Sequence, residues 1–125
     1  MVKSYEHKPV VTSNWLAVEL DGNHRPSREN VDVAVSQTLV DGSVVSKNAN
    51  GQVQIYGGAT DEKAVGIFVG NVTTTATETG KGVIVARVAK VVVEQLTFKA
   101  GLADAKKTAS LADLAVLHIT TVRSA

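Results

Sequence analysis

From Val31 onward, short apolar runs are separated by Gly, Asn and Asp, and this spacing predicts a compact antiparallel β structure. Val31, Val33 and Val35 recur at period two around Asp32 and Ala34, which marks one strand. Asp41-Gly42 separates Thr38-Leu39-Val40 from Ser43-Val44-Val45, and Asn50-Gly51 separates that run from Val53 and Ile55. Both dipeptides suit the positive φ of primed hairpin turns, so two hairpins in series are expected. Gly57-Gly58 ends a strand, and Ala64 to Val69 forms a fully apolar one. Gly80-Lys81-Gly82 reads as a hairpin turn that opens the longest β run, Val83 to Val93.

That run holds a conflict of parity. Arg87 and Lys90 differ by an odd number, so in a regular strand one of the two charges faces the core. A bulge near Val88-Ala89 removes the conflict, with Ile84, Ala86, Val88, Val91 and Val93 facing inward. One segment reads as helix: between Gly101 and Val116, Ala105, Ala109 and Ala112 recur at helical spacing beside Leu111 and Leu114, and Asp104 complements the N-terminal end. Val116 to Val122, rich in β-branched residues, reads as a closing strand.

Before about Arg28 the pattern is polar and irregular, with both prolines, Pro9 and Pro26, and two short apolar patches, Val10-Val11 and Trp15 to Leu20. Such a segment cannot bury enough apolar area to offset an ordering cost of roughly 1 to 2 kcal/mol per residue, so it reads as an arm that orders on a partner. The competing reading is an edge strand at Trp15 to Leu20 packed on its own body.

Composition sharpens this picture. At 125 residues the chain suits one domain, and its 44% apolar share rests on Val and Ala with five large aromatics, which favours sheet over helix. With 13 Lys and Arg against 12 Asp and Glu, there is no electrostatic footprint for nucleic acid or an anionic membrane. The absence of Cys excludes disulfides, thiolate metal sites and cysteine nucleophiles. Met1 to Pro9 carries charges where a signal peptide needs an apolar stretch, and no later run is apolar for the length of a bilayer, so a soluble, non-secreted product is expected.

Candidate chemistry is sparse. His7, His24 and His118 lie far apart, with no second His or carboxylate at a metal-ligand spacing, so no metal or cofactor is expected. Gly80-Lys81-Gly82 is superficially like a phosphate loop, but Thr75 stands where the earlier glycine belongs. Thr73, Thr74, Thr75, Thr77 and Thr79 read as solvated strand or loop. No Ser sits in a Gly-x-Ser-x-Gly turn and no His has an acid in sequence reach, so no catalytic residue is assigned and the chain reads as a non-enzyme. Asp32, Asp41, Asp61 and Glu62 read as solvated turn or loop acids. Asn71-Val72-Thr73 matches a glycosylation sequon that has no consequence without secretion.

The order of segments carries more than any one motif. Glu29-Asn30-Val31 to Val35, then Gln37 to Val45, then Gly51-Gln52-Val53, then Gly58-Ala59-Thr60-Asp61 leading into Ala64-Val65-Gly66-Ile67, and finally Ala105 to Leu114 before an apolar strand, resembles the head decoration proteins of tailed bacteriophages. The resemblance runs from about Glu29, and little before Ser27 aligns. It implies a mainly β fold, a compact antiparallel β-barrel or β-tulip with one short helix. It further implies a homotrimer on threefold positions of the capsid's outer surface, and an N-terminal arm reaching the major capsid protein. The chain then divides into an arm, 1–28, and a β-rich body, 29–125, made in the host cytoplasm and carried on the virion. Capsid contact is expected from Val2, Tyr5, Pro9, Val10, Val11 and Trp15, apolar anchors suited to an extended strand laid along a sheet edge, with Pro9 where that strand ends or faces away. The alternative is a carbohydrate- or receptor-binding β domain on a virion, for which Trp15, Tyr5 and Tyr56 are the candidate stacking platforms. A small β-barrel hydrolase is a further rival without a local catalytic pattern.

Overall fold

The computed structural model describes residues 15–19 and 28–122. Five strands close a barrel in the order β2-β5-β4-β6-β8: β2 (Arg28–Val33), β4 (Val44–Lys47), β5 (Val53–Ile55), β6 (Ala64–Val69) and β8 (Gly80–Val85). Beside it lies a three-stranded sheet with β9 (Ala89–Val92) between β1 (Leu16–Glu19) and β10 (Ile119–Val122). Strands β3 (Thr38–Leu39) and β7 (Val72–Thr73) form a separate antiparallel pair, and helix α1 (Asp104–Val116) runs between β9 and β10. Most pairings are antiparallel as expected, but β2 runs parallel to β5 at Val33↔Val53, which closes the barrel, and β10 runs parallel to β9.

Side-chain alternation in the barrel strands serves two cores. Val31 and Val33 of β2, Val45 of β4, Val53 of β5, Phe68 of β6 and Ile84 of β8 meet in one cluster, and since all five strands contribute, this is the barrel interior. Val44, Ile67 and Val85, the neighbours on the opposite face of β4, β6 and β8, pack in a second cluster with Trp15, Ala89, Val91, Leu114 and Ile119. Those strands are therefore buried on both faces, which explains the uninterrupted apolar run of β6.

Several expectations are corrected. The Asn50-Gly51 hairpin forms, but through a loop of residues 48–52 in which Asn48 Oδ1 accepts the N–H groups of Asn50 and Gln52. Asp41-Gly42 makes a turn, with Ser43 N–H bonded to Val40 O at 3.0 Å, yet it is no hairpin: β3 pairs with β7 and β4 pairs with β5 and β6. Gly80-Lys81-Gly82 is not a turn but the first half of β8, paired with β2 from Val33↔Gly80 to Val31↔Gly82. Its glycine at 82 answers to packing, because a Cβ there would sit 2.4 Å from ring atoms of Phe68.

The run from Val83 to Val93 breaks instead of bulging: β8 belongs to the barrel and β9 to the three-stranded sheet. Arg87 and Lys90 both face solvent, as the parity argument requires. The inward placement of Val88 is wrong, for it is 39% exposed and its φ of 48° lets the chain swing from one sheet to the other. Helix α1 forms where predicted, but its buried positions are Ser110 and Leu114, while Ala105, Ala109 and Ala112 face solvent. Asp104 stands in the first turn without capping it. At the N-terminal side, Leu16–Glu19 is a strand of the body, paired with β9 from Leu16↔Val91 to Glu19↔Ala89, which is the edge-strand reading of that patch.

Candidate functional site

Of the residues expected to contact a capsid, Val2, Tyr5, Pro9, Val10 and Val11 lie outside the described residues. Trp15 lies inside them, and its place corrects the expectation: the indole is fully buried in the cluster between barrel and sheet, so it offers no surface to a partner. Burial of so large a ring requires a partner for its N–H. Nε1 donates to Asp41 Oδ1 at 2.7 Å, and the Asp41 N–H in turn donates to Asn71 Oδ1 at 3.0 Å.

Three separate stretches build this chain of bonds: the residue just before β1, the turn between β3 and β4, and the turn between β6 and β7. Asp41 is not the solvated turn acid that its place beside Gly42 suggests, for it is 6% exposed. The turn that holds it depends on Gly42, whose φ is +95° and where a Cβ would lie 3.0 Å from Trp15 Cδ1. That glycine is bonded on both sides, its N–H to Phe68 O and its carbonyl to Thr97 N–H, each at 2.9 Å. Linear spacing gives no sign that Trp15, Asp41 and Asn71 meet. The only local signals are an isolated Trp before an apolar patch and two Asx residues at glycine turns.

Elsewhere the acids serve as staples. Glu62 accepts Ser46 Oγ and the N–H groups of Gly57 and Ala59, the latter two at 3.0 and 2.9 Å, which ties the loop after β5 to β4. Burial pushes its carboxyl up, but these donors and the Lys99 charge outweigh it and hold the group below the usual carboxylate range. Burial, with the negative charges of Asp113 and Glu62, raises the Tyr56 phenol. Glu29 bridges Lys47 at 3.0 Å and Arg87 at 2.9 Å across the exposed face of β2. The threonines at 73, 75, 77 and 79 are exposed, as expected, and Thr74 ties residues 34 and 37 to the loop after β7.

Among the described residues two open clefts stand out. One, of about 540 Å³, has Val65, Ile84, Ala86 and Leu117 on its walls and Val116, 78% exposed, at its rim. The other, of about 550 Å³, lies beside β3 and includes Val40, Ile55 and Phe98. Among the described residues no cluster of three or more His, Cys, Asp or Glu is placed to hold a metal, and no helix is long and apolar enough to cross a membrane. Trp15 and Tyr56 are buried, so two of the three aromatics that a glycan platform needs are withdrawn from the surface; the third, Tyr5, lies outside the described residues.

Residues 6–119 match the family of the bacteriophage lambda head decoration protein D. The chain belongs to that family. Its match covers the segment before Ser27, where the sequence alone offered little to align, and includes Trp15, Asp41 and Asn71. No curated protein matches the chain. Membership in the head decoration family gives the chain a structural role at the phage capsid and a place in the virion. Among the described residues this member of the family is built on a five-stranded barrel with one α-helix.

Proposed function

We propose that the chain binds the outer surface of the assembled head as an oligomer, gripping the major capsid protein through its N-terminal segment, and so cements the lattice. Membership in the head decoration family over residues 6–119 is the observation that carries this reading. The physics is linkage. A protein that binds only the expanded, assembled lattice lowers the free energy of that state, and many weak contacts sum to a large resistance to rupture. A trimer with a closed head-to-tail interface matches a threefold site. Three segments on one body raise binding by roughly 10² to 10⁴ over a single one when all can engage together.

Contact falls to Val2, Tyr5, Pro9, Val10 and Val11. In an extended strand added to a capsid sheet edge, backbone bonds supply affinity and alternate side chains supply register. Trp15 is withdrawn from that set, because its ring is buried in the body. The burial of Trp15 and Tyr56 also weighs against glycan recognition. The test is removal of Val2 to Val11, followed by sedimentation with capsids that lack the protein. The expected product is a folded trimer by native mass measurement that no longer decorates. A truncated chain that decorates as tightly as the full one would overturn the arm reading, and a stable monomer on the capsid would overturn the trimer.

A further inference from the structure

The Trp15–Asp41–Asn71 chain of bonds stands where the N-terminal segment joins the body. Strand β1 beyond it is four residues long and, among the described residues, has β9 as its hydrogen-bonded neighbour. A strand that short gains little from its ladder alone. Trp15 supplies what the ladder lacks: a large buried surface and a bond from its N–H to a buried carboxylate, of the stronger, charge-assisted kind. The barrel interior, by contrast, is filled by residues of β2, β4, β5, β6 and β8 together with Leu39 and Ala86, without Trp15. Loss of the indole contact therefore leaves the barrel its own core.

We infer that Trp15, Asp41 and Asn71 form an anchor that holds the root of the N-terminal segment and passes its grip on the capsid into the barrel. They are positioning residues, and Trp15 and Asp41 are buried and offer a partner no surface. Asp41 is the pivot. Its carboxylate receives the indole and its N–H binds Asn71, so one residue joins the root of the segment to the turns after β3 and β6. Gly42 allows the close approach, since a side chain there would press on the indole. An undocked root would let the segment bind the capsid while the body hangs from it on a slack tether, which removes the gain from engaging three segments at once.

The anchor matters only if the segment grips the capsid as proposed above, so the test has two arms on the full-length protein. The variants are Trp15→Phe, which keeps a ring and removes the N–H, Asp41→Ala, which removes the acceptor, and Asp41→Asn, which keeps Oδ1. Amide hydrogen exchange at Leu16–Glu19 and at the barrel strands is read beside retention on undecorated capsids after dilution. Loss of a bond to a charged group is expected to speed exchange in β1 by about ten- to a hundredfold with barrel exchange unchanged, and to shorten retention severalfold or more. Asp41→Asn, which keeps the acceptor and loses the charge, should recover about half of both.

Faster β1 exchange with unchanged retention would overturn the anchor, and so would unchanged β1 exchange. Should Trp15→Phe or Asp41→Ala unfold the whole body, Asn71→Ala, at an exposed turn, gives the same readouts from the far end of the chain of bonds. Removal of Val2 to Val11 separates the two ideas. If that removal spares attachment, the arm reading falls and the anchor with it; if it abolishes attachment while Trp15→Phe spares it, the anchor alone falls.

Discussion

Gly82→Ala is a sharp test of the two-core architecture, because the substitution adds one methyl group at the point where β8 meets the barrel interior. The new Cβ would lie 2.4 Å from both Cε1 and Cζ of Phe68, a ring only 1% exposed. Ordinary carbon contacts lie at about 3.5 to 4.0 Å, so the ring must retreat by more than about 1 Å within a packed core. Overpacking of this kind costs about 1 to 3 kcal/mol, against which Ala in a strand recovers about 0.5 to 1 kcal/mol relative to Gly. The expected net loss is about 0 to 2.5 kcal/mol, centred near about 1 kcal/mol, read as a lower urea midpoint at unchanged slope. Phe68→Leu removes the clashing ring atoms. The double variant should therefore be at least about 1 kcal/mol more stable than the sum of the two single effects. Strict additivity in the double variant would show that Phe68 does not lie over Gly82. The packing origin of Gly82 would then have to be abandoned.

Two further outcomes follow from backbone and charge. Val88 has a φ of 48° and is 39% exposed; Val88→Asn relieves about 1 to 2 kcal/mol of left-handed strain and gives up part of a Val side chain's burial, so thermal stability should stay within about 1 kcal/mol of wild type, whereas unfolding by this change would mean that Val88 faces a core. The lowered carboxyl of Glu62 contributes stability in full above the usual carboxylate range, and that contribution is lost as pH falls through its depressed folded value. The wild-type advantage over Glu62→Gln in denaturant melts should thus hold from neutral pH down to the usual carboxylate range and shrink as the pH falls through and below it; an advantage that stays constant into strong acid would remove Glu62 from the account of the loop after β5.

How much of this was legible in the sequence depends on whether a residue answers to its neighbours along the chain or to a distant one. Ala64 to Val69, the Asn50-Gly51 hairpin and the helix ending at Val116 were legible because local period and turn chemistry define them. The parity of Arg87 and Lys90 foretold an irregularity, and both charges do face solvent. It could not say that the chain changes sheets there, since a bulge and a crossover satisfy the same parity. Gly82 looked like turn punctuation because the ring that requires it comes from Phe68, on a neighbouring strand. The alanines of α1 looked like a buried stripe, yet Ala is also the best helix former on a solvated face, and spacing cannot distinguish the two uses.

The largest shift concerns Trp15, and its cause lies in the barrel rather than in the arm. A closed barrel of five strands needs one apolar face per strand, yet β4, β6 and β8 each bring two, with Val44, Ile67 and Val85 turned outward. That outer face must be covered, and the chain covers it with α1 and the sheet of β1, β9 and β10, with Trp15 the largest side chain in the cover. In sequence, Trp15 stands in a polar, proline-bearing stretch and reads as an anchor for a partner; in the fold, the outer face of the barrel is the partner it anchors to. Trp15 therefore belongs to the body, where it serves as part of the cover that the outer barrel face requires.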